Sequence, residues 1–295
     1  MHKKKKIRFI INPVSGANRS ENKEKIIRDH LDHDQYDYDC IYTERQGHAT
    51  ELSAEAAALH YDIVVACGGD GTVNEVAKGI KGSDTVLGIL PGGSGNGFAM
   101  YIGMGRNTAR AVKKLNNATV KTIDTCYVND IFFINLAGIG FDALIAYKAE
   151  NEEKRGLQMY VNLVGKEMTK FKAEEFKVIF DGQTIEGAFT TVAVANAPMY
   201  GYNFTVAPLA DLSDGLFDIV FMKEAGIFKT LSTSLRMLNK TLDKSPLVEV
   251  RKAKEVTVIS KKPYYFHVDG ESMEFKDTLN FRMDPLSLKV LFPVK

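Results

Sequence analysis

Hydrophobic and polar positions follow one pattern in the first 120 residues of the chain and another pattern after residue 130. In the first part, short apolar runs predict strands at 7–11, 39–42, 62–66 and 85–90. Between these runs, apolar residues recur at helical spacing in segments that begin near Ser20, Gly47, Val73 and Thr108. Strands that alternate with helices indicate a mostly parallel sheet, as in a Rossmann-like α/β domain.

The second part of the chain has the pattern of an antiparallel domain. Short apolar or alternating runs predict strands at 132–135, 176–180, 190–194, 217–221, 255–259 and 288–292. Asp-Gly pairs at 181–182, 214–215 and 269–270 are typical of tight turns between such strands. Helical periodicity around 142–171 and 227–238 predicts two helical insertions in an antiparallel sandwich or barrel-like domain.

We therefore predict two domains, an α/β domain over residues 1–125 and an antiparallel β-sandwich domain over residues 126–295. The last strand, near Leu288–Phe292, belongs either to the second domain or, by returning, to the first.

Composition and charge narrow the function classes. The 295 residues are 45% hydrophobic and 25% charged, with a formal net charge of +1. This balance fits a globular protein and argues against nucleic-acid binding by bulk electrostatics. Three cysteines without close spacing favour a reducing compartment over a disulfide framework.

The sequence contains no apolar run long enough for a membrane span, which favours a cytoplasmic protein. Lysines at positions 3–6 are either a solvated tail or a weak contact with an anionic membrane surface.

The glycine-rich turn Gly68-Gly69-Asp70-Gly71 is the strongest chemical signal in the first part. It follows an apolar strand and precedes a helix, a geometry that directs backbone N–H groups at a phosphate. Glycines let the backbone approach an anion, and Asp70 is suited to a metal ion or its bound water. Thr72 and Glu75 also have the spacing of a helix capping box, which is the purely structural interpretation of these two residues.

Three other polar turns also follow predicted strands, at residues 12–16, 43–48 and 92–96. Ligands of open α/β sheets bind beyond the carboxyl ends of the strands. The four turns are therefore expected to gather along one edge of the sheet. A P-loop sequence does not occur in the chain.

These motifs together resemble the diacylglycerol kinase catalytic domain, whose superfamily includes sphingosine and ceramide kinases and, more distantly, NAD kinases and phosphofructokinases. The similarity runs in the family's order, from Asn12-Pro13-Val14-Ser15-Gly16 through Thr43, Gly47-His48-Ala49 and the Gly68 turn. It continues with Asp214-Gly215-Leu216-Phe217-Asp218 and ends at Val268-Asp269-Gly270-Glu271.

The resemblance implies an ATP- and Mg²⁺-dependent lipid kinase with its nucleotide in the first domain. It assigns ATP binding to Asn12, Pro13, Ser15, Gly16, Thr43, Gly68, Gly69, Asp70, Gly71, Thr72, Asn74, Ser94, Gly95 and Asn96. Asp70 would lie at the phosphates and their metal. In the second domain it implies a magnesium site at Asp211, Asp214 and the carbonyl of Leu216, and makes Glu271 the acceptor of the substrate hydroxyl proton.

Each second-domain turn also has a purely structural interpretation. Asp214-Gly215 and Asp269-Gly270-Glu271 could serve only as tight turns between strands.

Two departures from the family pattern leave the lipid open. Many bacterial members have Asn-Asp-Phe where this chain has Asn96-Gly97-Phe98, so one carboxylate is absent at that position. A glycine cluster of the second domain is replaced by Tyr200-Gly201-Tyr202-Asn203-Phe204. The expected acceptor is diacylglycerol or a sphingoid-type lipid, reached by peripheral contact with the cytoplasmic side of a membrane, and a homodimer is left open.

Two other function classes are compatible with the same residues. One is a kinase for a soluble metabolite such as NAD. The other is a non-catalytic nucleotide or lipid sensor, which the missing carboxylate at Gly97 favours.

Overall fold

The structure is a computed structural model that describes residues 3–15, 22–93, 95–152, 156–262, 264–275 and 277–294, with only the backbone for 227–231. The chain divides into two compact units. The first consists of Met1–Ile123 with Leu286–Lys295, and the second of Asp124–Pro285.

Within the described residues the strands are β1 (Lys5–Ile11), β2 (Tyr36–Tyr42), β3 (Ile63–Gly68), β4 (Val86–Pro91), β5 (Ala118–Val128), β6 (Ile131–Phe133), β7 (Leu136–Gly140), β8 (Glu174–Phe180), β9 (Gln183–Phe189), β10 (Thr191–Ala195), β11 (Phe217–Met222), β12 (Val248–Ala253), β13 (Glu255–Ser260), β14 (Tyr264–Val268), β15 (Glu271–Phe275) and β16 (Thr278–Pro293). The α-helices are α1 (Lys23–His30), α2 (His48–Ala58), α3 (Asp70–Ile80), α4 (Gly97–Tyr101), α5 (Thr108–Leu115), α6 (Phe141–Glu150), α7 (Leu157–Met168) and α8 (Ile227–Leu238).

The first unit is an α/β domain with a parallel sheet. Its strand order is β2-β1-β3-β4, and each neighbouring pair is parallel. The C-terminal part of β16 follows β4, where Val290 pairs in parallel with Leu87. Every residue of β3 and β4 is buried, so both faces of the sheet are covered. The predicted α/β fold is confirmed.

The second unit is an antiparallel β-sandwich. One layer has the order β12-β11-β10-β7-β14-β15, and the other contains β8, β9, β13 and the N-terminal part of β16. The ring of Phe133 contacts Phe217 and Phe281, each at a centroid distance of 6.2 Å, inside the apolar core of this unit. The predicted sandwich with helical insertions is confirmed.

Side-chain caps define the starts of two predicted helices, and β7 was not predicted. α5 is capped by Asn107, whose side chain accepts a hydrogen bond from Arg110 N–H, and Thr108 is its first residue. α1 is capped in the same way by Asn22, whereas the predicted start at Ser20 lies outside the described residues. β7 was not predicted because two of its five residues are glycines, which interrupt the apolar run.

In the described part of the chain, none of the helices has the length and apolar character that crossing a membrane requires.

Candidate active site

The loops at the carboxyl ends of β1 to β4 meet at one edge of the first-unit sheet. Backbone hydrogen bonds join them: Asn12 N–H donates to Cys67 C=O at 3.1 Å, and Thr43 N–H to Ile11 C=O at 2.9 Å. Gly92 N–H donates to Gly68 C=O at 2.7 Å. Because the strands are parallel, the polar residues that follow each strand share this edge.

The two glycine turns pack backbone against backbone. A Cβ atom at Gly93 would lie 2.6 Å from the Cα of Gly69, a distance that real Cβ contacts do not reach. A Cβ at Gly92 would lie 3.2 Å from the Cα of Gly68. Glycine is therefore needed at the crossing of the turns, where its lack of a side chain permits close approach.

Asp70, the first residue of α3, connects the two turns. Its carboxylate accepts hydrogen bonds from Gly97 N–H at 3.1 Å and Phe98 N–H at 3.3 Å, at the start of α4. The helix dipole and the unsatisfied N–H groups there favour a carboxylate. Asp70 thus has a structural function in addition to the expected one at the phosphates.

Asn96 closes the second glycine turn on itself. Its side-chain oxygen accepts from Gly93 N–H at 2.7 Å, and its amide donates to Gly93 C=O at 2.6 Å. Asn96 has a φ of 48°, a left-handed conformation that Asn adopts more readily than most residues.

Asn12 links the first loop to α3. Its amide donates to Thr72 Oγ1 at 3.1 Å, and its side-chain oxygen accepts from Val14 N–H at 3.0 Å. The hydroxyl of Ser15 donates to the Asn12 carbonyl at 2.9 Å. Both side chains therefore hold the loop that follows β1.

Thr72 and Glu75 do not form the capping box that their spacing suggests, because α3 already begins at Asp70. Glu75 instead caps the next helix in space. Its two carboxylate oxygens accept from Gly47 N–H at 2.9 Å and Ala49 N–H at 3.1 Å, at the start of α2. These two hydrogen bonds fix the loop after β2 relative to α3.

The remaining predicted nucleotide residues of the first unit fall around the same edge. Pro13 is exposed, Gly71 and Asn74 lie in the first turns of α3, and Gly95 precedes Asn96. Gly16 and Ser94 lie outside the described residues.

In the second unit, Asp269 and Glu271 belong to the hairpin between β14 and β15. Asp269 has a φ of 50° and Gly270 a φ of 93°, as a two-residue hairpin turn requires. The Asp269 carboxylate accepts from the backbone N–H groups of Ile134, Asn135 and Leu136 at 3.0–3.1 Å. Asp269 therefore anchors the turn, and Glu271 is left exposed at the first position of β15.

The predicted metal residues lie on an irregular turn before β11, not in a hairpin. Asp211 Oδ1 accepts from both the N–H and the hydroxyl of Ser213, at 3.0 and 2.8 Å. Asp214 Oδ1 accepts from Leu216 N–H at 3.0 Å, and its Oδ2 lies 2.6 Å from the ammonium of Lys252.

Lys252 also lies 3.3 Å from buried Asp218, whose pKa is raised by burial although Lys252 opposes that shift. Asp124 accepts from Gly215 N–H at 2.8 Å and so fixes the same turn. The sequence reasoning missed both Asp124 and Lys252, since they come from β5 and β12, far away in the chain.

Two carboxylates and a carbonyl on one turn are hard oxygen ligands of the type that Mg²⁺ prefers. Their chemistry fits this ion, although Lys252 already supplies one positive charge to Asp214. Among the residues that the structure describes, no group of three or more His, Cys, Asp or Glu side chains is arranged as metal ligands.

A partly buried polar cluster that the sequence did not indicate lies at the start of α6. Asp142 Oδ2 accepts from the Tyr200 hydroxyl at 2.5 Å and lies 3.2 Å from His267 Nε2. Burial, followed by the negative charge of Asp142, raises the pKa of Tyr200. A Cβ at Gly138 would lie 1.8 Å from Asp142 Oδ2 and 2.6 Å from His267 Nε2, so glycine makes room for this cluster.

Comparison with known proteins gives the family. Residues 6–128 match the family model "Diacylglycerol kinase catalytic domain", and residues 135–292 match "YegS C-terminal NAD kinase beta sandwich-like domain". The chain therefore belongs to the diacylglycerol kinase catalytic-domain family, and its second part matches that β-sandwich domain.

Individual relatives agree with this assignment. The chain is 29% identical over 272 residues to "Diacylglycerol kinase" of Bacillus subtilis, covering 90% of both proteins. It is 30% identical over 292 residues to a Streptococcus pneumoniae protein named "Putative lipid kinase", covering 97% of this chain and 95% of that protein. The crystal structure of a diacylglycerol kinase from Bacillus anthracis has the same fold, with a TM-score of 0.74, 22% identity and coverage of 99% and 98%.

Proposed function

We propose that this protein is an ATP- and magnesium-dependent lipid kinase that transfers the γ-phosphate to a hydroxyl of diacylglycerol or a sphingoid-type lipid. The observation that carries the proposal is the meeting of the loops after β1 to β4 at one sheet edge, with glycine backbones in contact and α3 starting there. Such an arrangement presents N–H groups and a helix N-terminus to phosphate. Family membership supports kinase chemistry.

The nucleotide would bind at this edge through Asn12, Pro13, Ser15, Gly16, Thr43, Gly68, Gly69, Asp70, Gly71, Thr72, Asn74, Ser94, Gly95 and Asn96. Phosphoryl transfer depends mainly on positioning and on neutralising the charge of the phosphates. The contacts of Asp70, Asn12 and Asn96 hold these loops in place before the nucleotide arrives.

Glu271 would accept the proton of the attacking lipid hydroxyl. Asp269 carries the hydrogen bonds that hold the turn, and Glu271 lies exposed beside it at the first position of β15. Glu271→Gln should lower the catalytic rate by about 10²- to 10⁴-fold with little change in ATP affinity, because a general base acts in the transfer step. Unchanged turnover would remove Glu271 from the mechanism. Exposed Glu274 on the same strand offers the control substitution Glu274→Gln.

Asp211, Asp214 and the carbonyl of Leu216 would hold a magnesium ion, which would neutralise the two carboxylates of this turn. Titration calorimetry with MgCl₂ tests the assignment, with Asp214→Asn as the variant. Exposed Asp130, in the turn between β5 and β6, provides the control Asp130→Asn. Equal heats from the wild-type protein and Asp214→Asn would exclude this turn as a magnesium site.

The activity itself is tested with labelled γ-phosphate from Mg-ATP. The acceptors are mixed micelles of diacylglycerol, sphingosine, dihydrosphingosine or ceramide, with NAD as a soluble control. A labelled lipid is the expected product and identifies the acceptor. Labelled NADP without labelled lipid would replace the proposal by a soluble-metabolite kinase, and ATP binding without any product would indicate a non-catalytic member.

Access to a lipid would require contact with a membrane surface. We expect the protein to co-sediment with vesicles that contain anionic lipid and diacylglycerol. Loss of co-sedimentation at high salt would show that positive charges, such as those of the lysines at positions 3–6, contribute to membrane binding. Absence of sedimentation at low salt would contradict peripheral binding.

A further inference from the structure

Lys23 lies at the sheet edge to which the proposed function assigns the nucleotide phosphates. The sequence alone did not indicate this position, and the positive charge of a lysine suits a phosphate. Lys23 is the first residue of α1 and is only 9% exposed. Its ammonium donates to the carbonyl of Asn12 at 3.1 Å and to the hydroxyl of Ser15 at 3.0 Å. Lys23 therefore reaches from its helix into the loop that follows β1.

The same ammonium lies against the glycine turn after β4. A Cβ atom built on Gly92 would be 3.3 Å from Lys23 Nζ and 3.2 Å from the Cα of Gly68. One positive charge thus lies where the loops after β1, β3 and β4 come together. These are three of the four loops that the proposed function assigns to the nucleotide.

Burial of an ammonium costs free energy, which its contacts must offset. The oxygens of Asn12 and Ser15 accept hydrogen bonds from the Lys23 ammonium and hold it at the loop that follows β1. A phosphate at this edge would gain a charge-assisted hydrogen bond from it. Lysine is a common phosphate ligand of nucleotide-binding proteins that have a P-loop, and this chain has no such loop.

We infer that Lys23 binds the phosphate chain of the nucleotide and supplies the positive charge that a P-loop lysine supplies elsewhere. The inference rests on the proposed function and adds one residue to its nucleotide site. Lys23 would act on the phosphates alone, because its ammonium contacts the phosphate-binding loops.

The test compares binding of Mg-ATP and adenosine by calorimetry in the wild-type protein, Lys23→Met and Lys23→Arg. Lys25→Met is the matched control, since Lys25 is an exposed lysine two residues further along the same helix. Lys23→Met should weaken Mg-ATP binding by about 10- to 100-fold, the loss expected for one hydrogen bond to a charged group. Adenosine binding and the Lys25→Met variant should be unchanged.

Lys23→Met protein that binds Mg-ATP as tightly as wild type would overturn the inference and leave the proposed function intact. Equal losses for Mg-ATP and adenosine would also overturn it, because they would show that Lys23 only holds the fold.

If Lys23→Met does not fold, Lys23→Arg decides the question. It should then bind Mg-ATP more weakly and adenosine normally, because its planar guanidinium cannot reproduce the contacts of a compact ammonium. A wild-type protein that binds no Mg-ATP would overturn the proposed function together with this inference.

Discussion

At the scale of single residues, the polar side chains at the sheet edge of the first unit make hydrogen bonds that hold the neighbouring loops in position. Asp70, Asn96 and Asn12 each satisfy backbone or side-chain groups of a neighbouring loop. Preorganised loops lose less conformational entropy when a nucleotide binds. Structural and catalytic interpretations of these residues are therefore not alternatives.

Asp70→Asn separates the two contributions of Asp70. The amide oxygen still accepts one N–H of α4, so we expect the free energy of unfolding to fall by only about 1 kcal/mol. Kinase turnover should fall by about 100-fold or more, because the negative charge is lost. Thermal unfolding and the phosphate-transfer assay measure both effects. Asp84→Asn, at a fully exposed carboxylate, is the control, and full activity of Asp70→Asn would exclude Asp70 from catalysis.

Cysteine reactivity gives a pH-dependent test of the first-unit core. Burial raises the pKa of Cys40 to about 12, and burial also raises the pKa of fully buried Cys67. At pH 8 roughly 10⁻⁴ of Cys40 is thiolate, the reactive form. Alkylation of the native protein should therefore be slow and should rise about tenfold per pH unit from pH 7 to 10. A plateau near pH 9 would show that burial does not raise the pKa of the Cys40 thiol as stated.

At the scale of elements, α2 and α3 are tied together by Glu75, whose carboxylate caps the N-terminus of α2. Glu75→Ala removes two hydrogen bonds from that end and should lower the free energy of unfolding by about 1–2 kcal/mol. Glu51→Ala on α2 is the control, because its exposed ion pair with Arg45 contributes at most about 1 kcal/mol. Chemical denaturation measures both variants, and equal effects would contradict the capping function.

The packing of α6 on β7 and β14 depends on Gly138. A methyl group there would collide with the Asp142–His267 contact, so Gly138→Ala should lower the free energy of unfolding by about 2–3 kcal/mol. Gly165→Ala in α7 is the matched control, since its Cβ meets nothing within 4 Å. It should stabilise the helix by about 0.5–1 kcal/mol. A neutral Gly138→Ala variant would show that the cluster readily rearranges.

At the scale of the whole molecule, the chain returns to the first unit with the C-terminal part of β16, which follows the second unit in sequence. Leu288, Val290 and Leu291 of β16 are each less than 5% exposed, and Val290 pairs with Leu87 of β4. The sequence left the position of this strand open because its apolar pattern fits a strand in either domain.

Truncation after Pro285 tests the contribution of this strand. It removes a buried neighbour of β4 and should lower the melting temperature of the first unit strongly, because the apolar burial contributed by Leu288, Val290 and Leu291 is deleted with the strand. Truncation after Pro293 removes exposed Val294 and should have no effect. Calorimetric scans of both proteins and the full chain provide the comparison. An unchanged melting temperature in the protein truncated after Pro285 would show that the C-terminal part of β16 is dispensable for the first unit.

Local patterns in the sequence determined the two folds and the edge at which ligands would bind. The apolar runs of β1 to β4 and the helical periodicity between them indicate a parallel sheet, whose geometry places the following turns together. Asp-Gly turns and short strands indicate the antiparallel unit. These signals are local in sequence, because neighbouring residues along one element create each of them.

The tertiary structure decided the partners of individual polar side chains. Glu75 caps α2 instead of its own helix, and Lys23 reaches the glycine turn after β4. Lys252 pairs with Asp214 across 38 residues of chain, and His267 meets Asp142 across 125. No spacing rule encodes such contacts, because they depend on how strands distant in sequence are brought together by burial of their apolar faces.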